Sequence, residues 1–258
     1  MPDSTSSDQP QADQPQADQP QVTTEVEGRV LVATIAHGKA NAISHEVIAR
    51  LGAALDQVEE AADAGGEAGP GALLITGTPG MLSGGFDLGV MRAGPKEAGR
   101  LVTEGGAFIT RCFASSVPVV VACTGHAVAA GALLLLGADY RVGATGDFRI
   151  GLIETQIGMV LPRWAVELAE ERLSRRHFQQ ATVAARMYDP PGAVDAGFLD
   201  LAAPPDRVLE AARTEAERLA ALPHAAYAGQ VRMNRGARLE RLVAAVAADH
   251  DLVFDVPS

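Results

Sequence analysis

Residues 117–142 read VPVVVACTGHAVAAGALLLLGADYRV, and the fold turns on how this run is divided. VPVVVACT (117–124) has the length and β-branched content of a buried strand. AAGALLLLG then reads as a short buried helix, and DYRVGA (139–144) as another strand. ALLIT (72–76) is a further buried strand upstream, left by a glycine-rich loop, GTPGMLSGGF. Strand, helix, strand, helix favours parallel β–α units with right-handed crossovers.

Outward from this centre, VTTEVEGRVLVATIAH alternates apolar and polar residues around Glu27-Gly28, which predicts a β-hairpin. A helix is predicted from about Ile43, with Val47, Leu51, Leu55 and Val58 at helical spacing and Ser44 as a cap. Another is predicted near 96–115. After Leu161 the β signal fades into four helix-like segments, PRWAVELAEERL, SRRHFQQATVAARM, PDRVLEAARTEAERLAAL and ARLERLVAAVAADH. The fold class is therefore α/β with a helical C-terminal region. At the other end, DQPQADQPQADQPQV (8–22) repeats a five-residue unit too polar to bury a face, so residues 1–21 are expected to be a disordered Asp/Gln/Pro-rich tail.

Composition excludes several classes. A net charge of −11 argues against nucleic acid, whose phosphates demand a basic face. Asp3, Asp8, Asp13 and Asp18 lie in the tail with no Lys or Arg among residues 1–24, leaving about −7 for the body. No run of about 18 apolar residues and no secretory leader is present, so no membrane partner is expected and the cytoplasm is the expected location. Cys112 and Cys123 are too few for a disulfide framework or a structural zinc site, and Cys123-x-x-His126 reads as structural. Neither a P-loop, a G-x-G-x-x-G after a strand, nor a G-x-S-x-G elbow occurs.

What remains is a constellation. Ser83-Gly84-Gly85-Phe86-Asp87 and Ala129-Ala130-Gly131 leave strand ends, where α/β sheets place ligands. Backbone N–H groups from two such loops, one at a helix N-terminus, can bind a developing oxyanion. Glu154, in GLIETQIG, is a carboxylate amid apolar residues.

In order and spacing, GKANAI (38–43), LSGGFDL (82–88), VPVVVACTGHAVAAGALLLLGADYRV (117–142), GLIETQIGMVLP (151–162) and AVDAGFLD (193–200) resemble the enoyl-CoA hydratase/isomerase family of the crotonase superfamily, from about Val22 to the end. The resemblance implies a spiral of β-β-α units as an acyl-CoA-binding core over 22–195. It implies a helical oligomerisation region over 196–258, with assembly as a homotrimer or hexamer. It implies an acyl-CoA thioester as substrate, with CoA arriving as part of it and no other cofactor or metal. Carried over by position, the oxyanion donors are Gly84 and Ala130, Glu154 is the acid/base, and Lys39, Ala40, Phe86, Asp87, Leu88 and Leu133 contact substrate or CoA, with Asp87 also expected to cap a helix.

One position departs from the pattern. Hydratases of the family carry two glutamates, and the first falls on Leu133 here. An apolar wall opposite Glu154 favours a raised pKa and a proton-shuttling role. Hydration and a 3,2 double-bond shift are both open to the chain, and the single glutamate leans to isomerisation. A non-catalytic acyl-CoA binding or carrier protein is the alternative.

Overall fold

The computed structural model describes residues 21–65 and 69–249. The tail expected over 1–21 therefore lies, but for Gln21, outside the described residues. The chain opens with the hairpin, β1 (Val22–Glu27) and β2 (Val30–Ile35), paired antiparallel around Gly28, whose φ of 59° suits a glycine. Helix α1 (His45–Asp63) follows, and the Ser44 side chain accepts from the Val47 N–H, so the cap is where the sequence puts it.

Three successive turns of chain then share one plan. Strand β3 (Ala72–Thr76) leads into β4 (Gly80–Ser83) and on to helices α2 (Leu88–Arg92) and α3 (Pro95–Ala114). Strand β5 (Val119–Cys123) leads into β6 (Gly125–Val128) and helix α4 (Ala130–Gly137). Strand β7 (Tyr140–Ala144) leads into β8 (Ile150–Gly151), a 3-10 turn over Glu154–Ile157 and helix α5 (Arg163–Arg172). The first strand of each turn joins a six-stranded sheet of order β1-β2-β3-β5-β7-β9, where β9 spans Leu201–Ala203, parallel after the hairpin; the second joins a parallel three-stranded sheet, β4-β6-β8. This alternation is the β-β-α spiral.

The small sheet corrects the sequence reading. The loop expected over 77–86 contains β4, and the long apolar run beginning at Val117 is broken at Thr124 into two strands of different sheets. Helices α6 (Arg175–Thr182) and α7 (Pro190–Ala196) follow α5, and the helix expected over 174–187 stops at Thr182. The β signal does not end at Leu161: β9 (Leu201–Ala203) pairs with β7 and adds the last strand of the large sheet, beyond the expected core boundary at 195. Helices α8 (Val208–Ala220) and α9 (His224–Ala248) complete the chain.

Central strands of the large sheet are buried on both faces, which is why they read as unbroken apolar runs. Leu31, Leu73, Ile75, Val119 and Val121 pack on the side of α1 and α3. Their neighbours Val32, Leu74, Val120 and Val142 pack against α8, which presents Val208, Ala212, Ala216 and Ala220 every fourth position.

Candidate active site

Each strand of the small sheet delivers one component of the site at its carboxyl end. β4 ends at Ser83 and releases Gly84-Gly85-Phe86; β6 ends at Val128 and releases Ala129 and the start of α4; β8 ends at Gly151 and is followed by Glu154. A cavity of about 450 Å³ joins them, lined by Gly84, Phe86, Ala129, Leu133 and Glu154 among others.

The first loop lies against α4. A Cβ built on Gly85 would stand 3.1 Å from the Ala129 Cβ and 3.6 Å from the Ala130 nitrogen, and Gly85 itself has a φ of 111°. Glycine is required there for space and for conformation. Gly84, the donor expected from sequence, is not free: its N–H donates to the Ala40 carbonyl at 2.7 Å. Ile43 donates to the Gly85 carbonyl at 2.8 Å, and the Asp87 N–H donates to the Ile43 carbonyl at 3.0 Å. These flanking bonds leave the Phe86 N–H as the loop's donor without a partner among the described residues. The expectation that Gly84 offers a free N–H is corrected: the Ala40 carbonyl of the 38–41 turn takes it, and the free N–H of this loop is that of Phe86.

On the second loop, the Ala129 N–H donates to the Gly151 carbonyl at 3.0 Å, whereas Ala130 is the first residue of α4, whose N–H has no intrahelical acceptor. Ala130 itself sits in helical backbone. Strain falls one residue earlier, on Ala129, at φ 52° and ψ −121°.

Leu133 lies one turn into α4, buried, with its side chain on the cavity. Leu134, Leu135 and Leu136 are buried in the core without lining it. Glu154 opens the 3-10 turn, is 9% exposed, and its Oε2 has no hydrogen-bond partner among the described residues. Loss of hydration raises its pKa from 4.5 to about 7, against the smaller opposing effect of hydrogen bonds from the backbone at Glu154 and Ile153.

The remaining expected residues are arranged around this centre. Asp87 caps α2, accepting from the Gly89 and Val90 N–H groups at 2.7 and 3.2 Å. Leu88 and Phe86 line the cavity; Lys39 and Ala40 are exposed in the adjoining turn and do not. Sequence reasoning passed over Asn41, which is fully buried. Its Nδ2 donates to Thr78 Oγ1 at 2.9 Å and to the Met81 carbonyl at 2.8 Å, tying that turn to β4. A φ of 45° at Asn41 is tolerated by this residue type, a signal readable only with the backbone in hand. Trp164 and Met159, also missed, line the cavity.

Cys123 and His126 do not form a site. The Cys123 thiol donates to the Gly125 carbonyl at 3.1 Å and burial pushes its pKa up to about 12, while His126 Nδ1 accepts from the Arg149 N–H at 3.0 Å. Among the described residues no group of three or more His, Cys, Asp or Glu is placed to hold a metal, and no helix is long and apolar enough to cross a membrane.

The alternating two-sheet spiral, with strand-end loops and a buried carboxylate around one cavity, is that of the crotonase superfamily. Within it the chain belongs to the enoyl-CoA hydratase/isomerase family, whose model matches residues 25–258. A solved structure of an enoyl-CoA hydratase/isomerase family protein from Pseudomonas syringae is 39% identical, with a TM-score of 0.85 over 90% of this chain and 98% of that one. A Mycobacterium tuberculosis protein, described as an enoyl-CoA isomerase with one solved structure and as a probable enoyl-CoA hydratase with another, is 33% identical in the first, with a TM-score of 0.81 over 89% of this chain and 97% of that one. Human mitochondrial enoyl-CoA delta isomerase 1 is 29% identical over 225 residues, 85% of this chain and 72% of its own length.

Proposed function

We propose that the protein shifts the double bond of a 3-enoyl-CoA to the 2 position, with Glu154 as the sole proton carrier. The observation that carries this reading is the isolation of Glu154: one buried carboxylate on the cavity, with Leu133 where a second acid would be needed to hold water. Two relatives named as isomerases support it.

The chemistry follows from the donors and the base. The thioester carbonyl lies between the N–H groups of Phe86 and Ala130, the second at a helix N-terminus, so negative charge is favoured on its oxygen. The Glu154 carboxylate takes a proton from C2, forming the enolate, and the same carboxyl returns it at C4. The electron pair of the broken C2–H bond, held in the enolate, becomes the C2–C3 double bond, the former C3–C4 π pair forms the new C4–H bond, and no water is consumed. A pKa of about 7 suits a group that must accept and then donate near neutrality. Removing one donor from such a hole typically costs ~10²–10³ in rate, but a backbone donor can be removed only by moving the loop.

Lys39 and Ala40, in the exposed turn beside the first loop, are the proposed contacts of the CoA moiety. The proposed assembly is a homotrimer or hexamer, whose contacts would cover apolar groups such as Met233 and Val243, exposed on α9.

Glu154→Gln tests the reading. Turnover of 3-enoyl-CoA is expected to fall by about 10²-fold or more, within the range for a lost acid/base, while affinity for a saturated acyl-CoA stays within a few-fold. Unchanged turnover would remove Glu154 from the mechanism.

A further inference from the structure

The cavity has an open end and a closed end, and the closed end is built from an unusual pair. At its mouth stand Leu88, Ile157 and Val160, which are 59%, 45% and 82% exposed. At its depth stands Trp164, fully buried, with Leu133 and Val102 beside it. Trp164 is the second residue of α5, and its backbone N–H donates to Oδ2 of Asp249, the buried residue that ends α9, at 3.2 Å. The backbone that carries the indole is thus tied to the C-terminal helix as well as to its own.

The ring's other side rests on α3. A Cβ built on Gly106 would stand 2.5 Å from Cε2 and 2.6 Å from Nε1 of the indole, inside any permitted contact. Val102, one helical turn before Gly106 on the same face, lines the cavity directly. Glycine inside a helix costs about 1 kcal/mol relative to alanine. At position 106 the cost is offset by letting the indole sit back against the helix axis, so the missing methyl of Gly106 sets how far Trp164 protrudes into the cavity. The indole N–H lies on the side of this glycine and has no partner among the described residues.

We propose that Trp164, seated on Gly106, is the specificity-determining end wall for the acyl chain, and that it restricts the protein to short- and medium-length hydrocarbon tails. This rests on the acyl-CoA reading above. The size agrees: about 450 Å³ lies at the small end of the ~300–1,000 Å³ typical of ligand pockets.

The wall can be moved in either direction. Trp164→Leu deepens the cavity; Gly106→Ala drives the indole into it. The experiment measures kcat/KM for straight 3-enoyl-CoA esters of short, medium and long chain, and in parallel the affinity for the matching saturated acyl-CoA series, for the wild type and both variants. Wild-type values are expected to fall from medium to long chains. Trp164→Leu is expected to raise the long-to-medium ratio about 10-fold or more, and Gly106→Ala to lower the medium-to-short ratio similarly, in the range that one methylene commands in an apolar pocket. Ratios within one variant cancel any general loss of folded protein, and opposite shifts are not produced by destabilisation. Should Gly106→Ala fail to fold, the ratio in Trp164→Leu decides alone. Turnover with unmoved ratios overturns the wall and leaves the isomerase reading standing. Length-dependent binding that shifts as predicted, without turnover at any length, upholds the wall and overturns the isomerase. No binding at any length overturns both.

Discussion

Glu154 weakens the fold that holds it. Its pKa is about 7 in the folded chain against an ordinary 4.5, so between those values the native state binds more protons than the unfolded one. Stability from this group is complete below 4.5 and is lost as pH rises through 7, a loss of roughly 3 kcal/mol. Glu154→Gln cannot ionise, so its midpoint of denaturation relative to the wild type should rise when the pH is moved from below 4.5 to well above 7. A constant difference across that range would place the carboxyl in water. Ala129 carries strain as well, held at positive φ on the turn before α4; such backbone costs ~1–3 kcal/mol, and Ala129→Gly should raise stability by roughly 1 kcal/mol in urea titration. Leu133 and Glu154 were legible because each is a side-chain identity at a fixed spacing. The free N–H of the first loop was not, since Gly84 and Phe86 differ only in which N–H the Ala40 carbonyl has taken, and no property of either residue records that.

Among the elements, the small sheet positions the chemistry and was the part least visible in sequence. β8 has two residues and β4 four, too few to show a period. The large sheet was readable because its strands, buried on both faces, stand out as apolar runs between turn residues. The trace of the small sheet is in its glycines instead. A Cβ on Gly125 would overlap the backbone of Gly80, its partner across β4 and β6, so the two strands meet there only because Gly125 lacks a side chain. Gly125→Ala should therefore cost about 3 kcal/mol in denaturant titration, the upper range for an overpacked site, and abolish turnover by separating the two site loops. Gly52→Ala, on α1 with nothing within 4 Å of the new methyl, should be neutral or stabilising by up to about 1 kcal/mol. Equal costs at the two positions would mean that β4 and β6 are not in close contact.

At the scale of the molecule, the site is where the spiral and the C-terminal helices meet. Arg235 of α9 pairs with Asp139 at the end of α4, and Asp249 holds the start of α5, so the C-terminal helix braces the elements carrying Leu133 and Trp164. All of this converges on one buried carboxylate in an apolar cavity, the group proposed to move a proton between two carbons of one substrate. The most direct measurement offers the 3-enoyl-CoA in deuterated water, follows the product and locates its label. One proton carrier that returns the proton it removes predicts 2-enoyl-CoA whose γ carbon carries less deuterium than the solvent supplies, and no 3-hydroxyacyl-CoA at early times. Accumulation of 3-hydroxyacyl-CoA from the 2-enoyl ester at a comparable rate, or no conversion of the 3-enoyl-CoA at all, would contradict it.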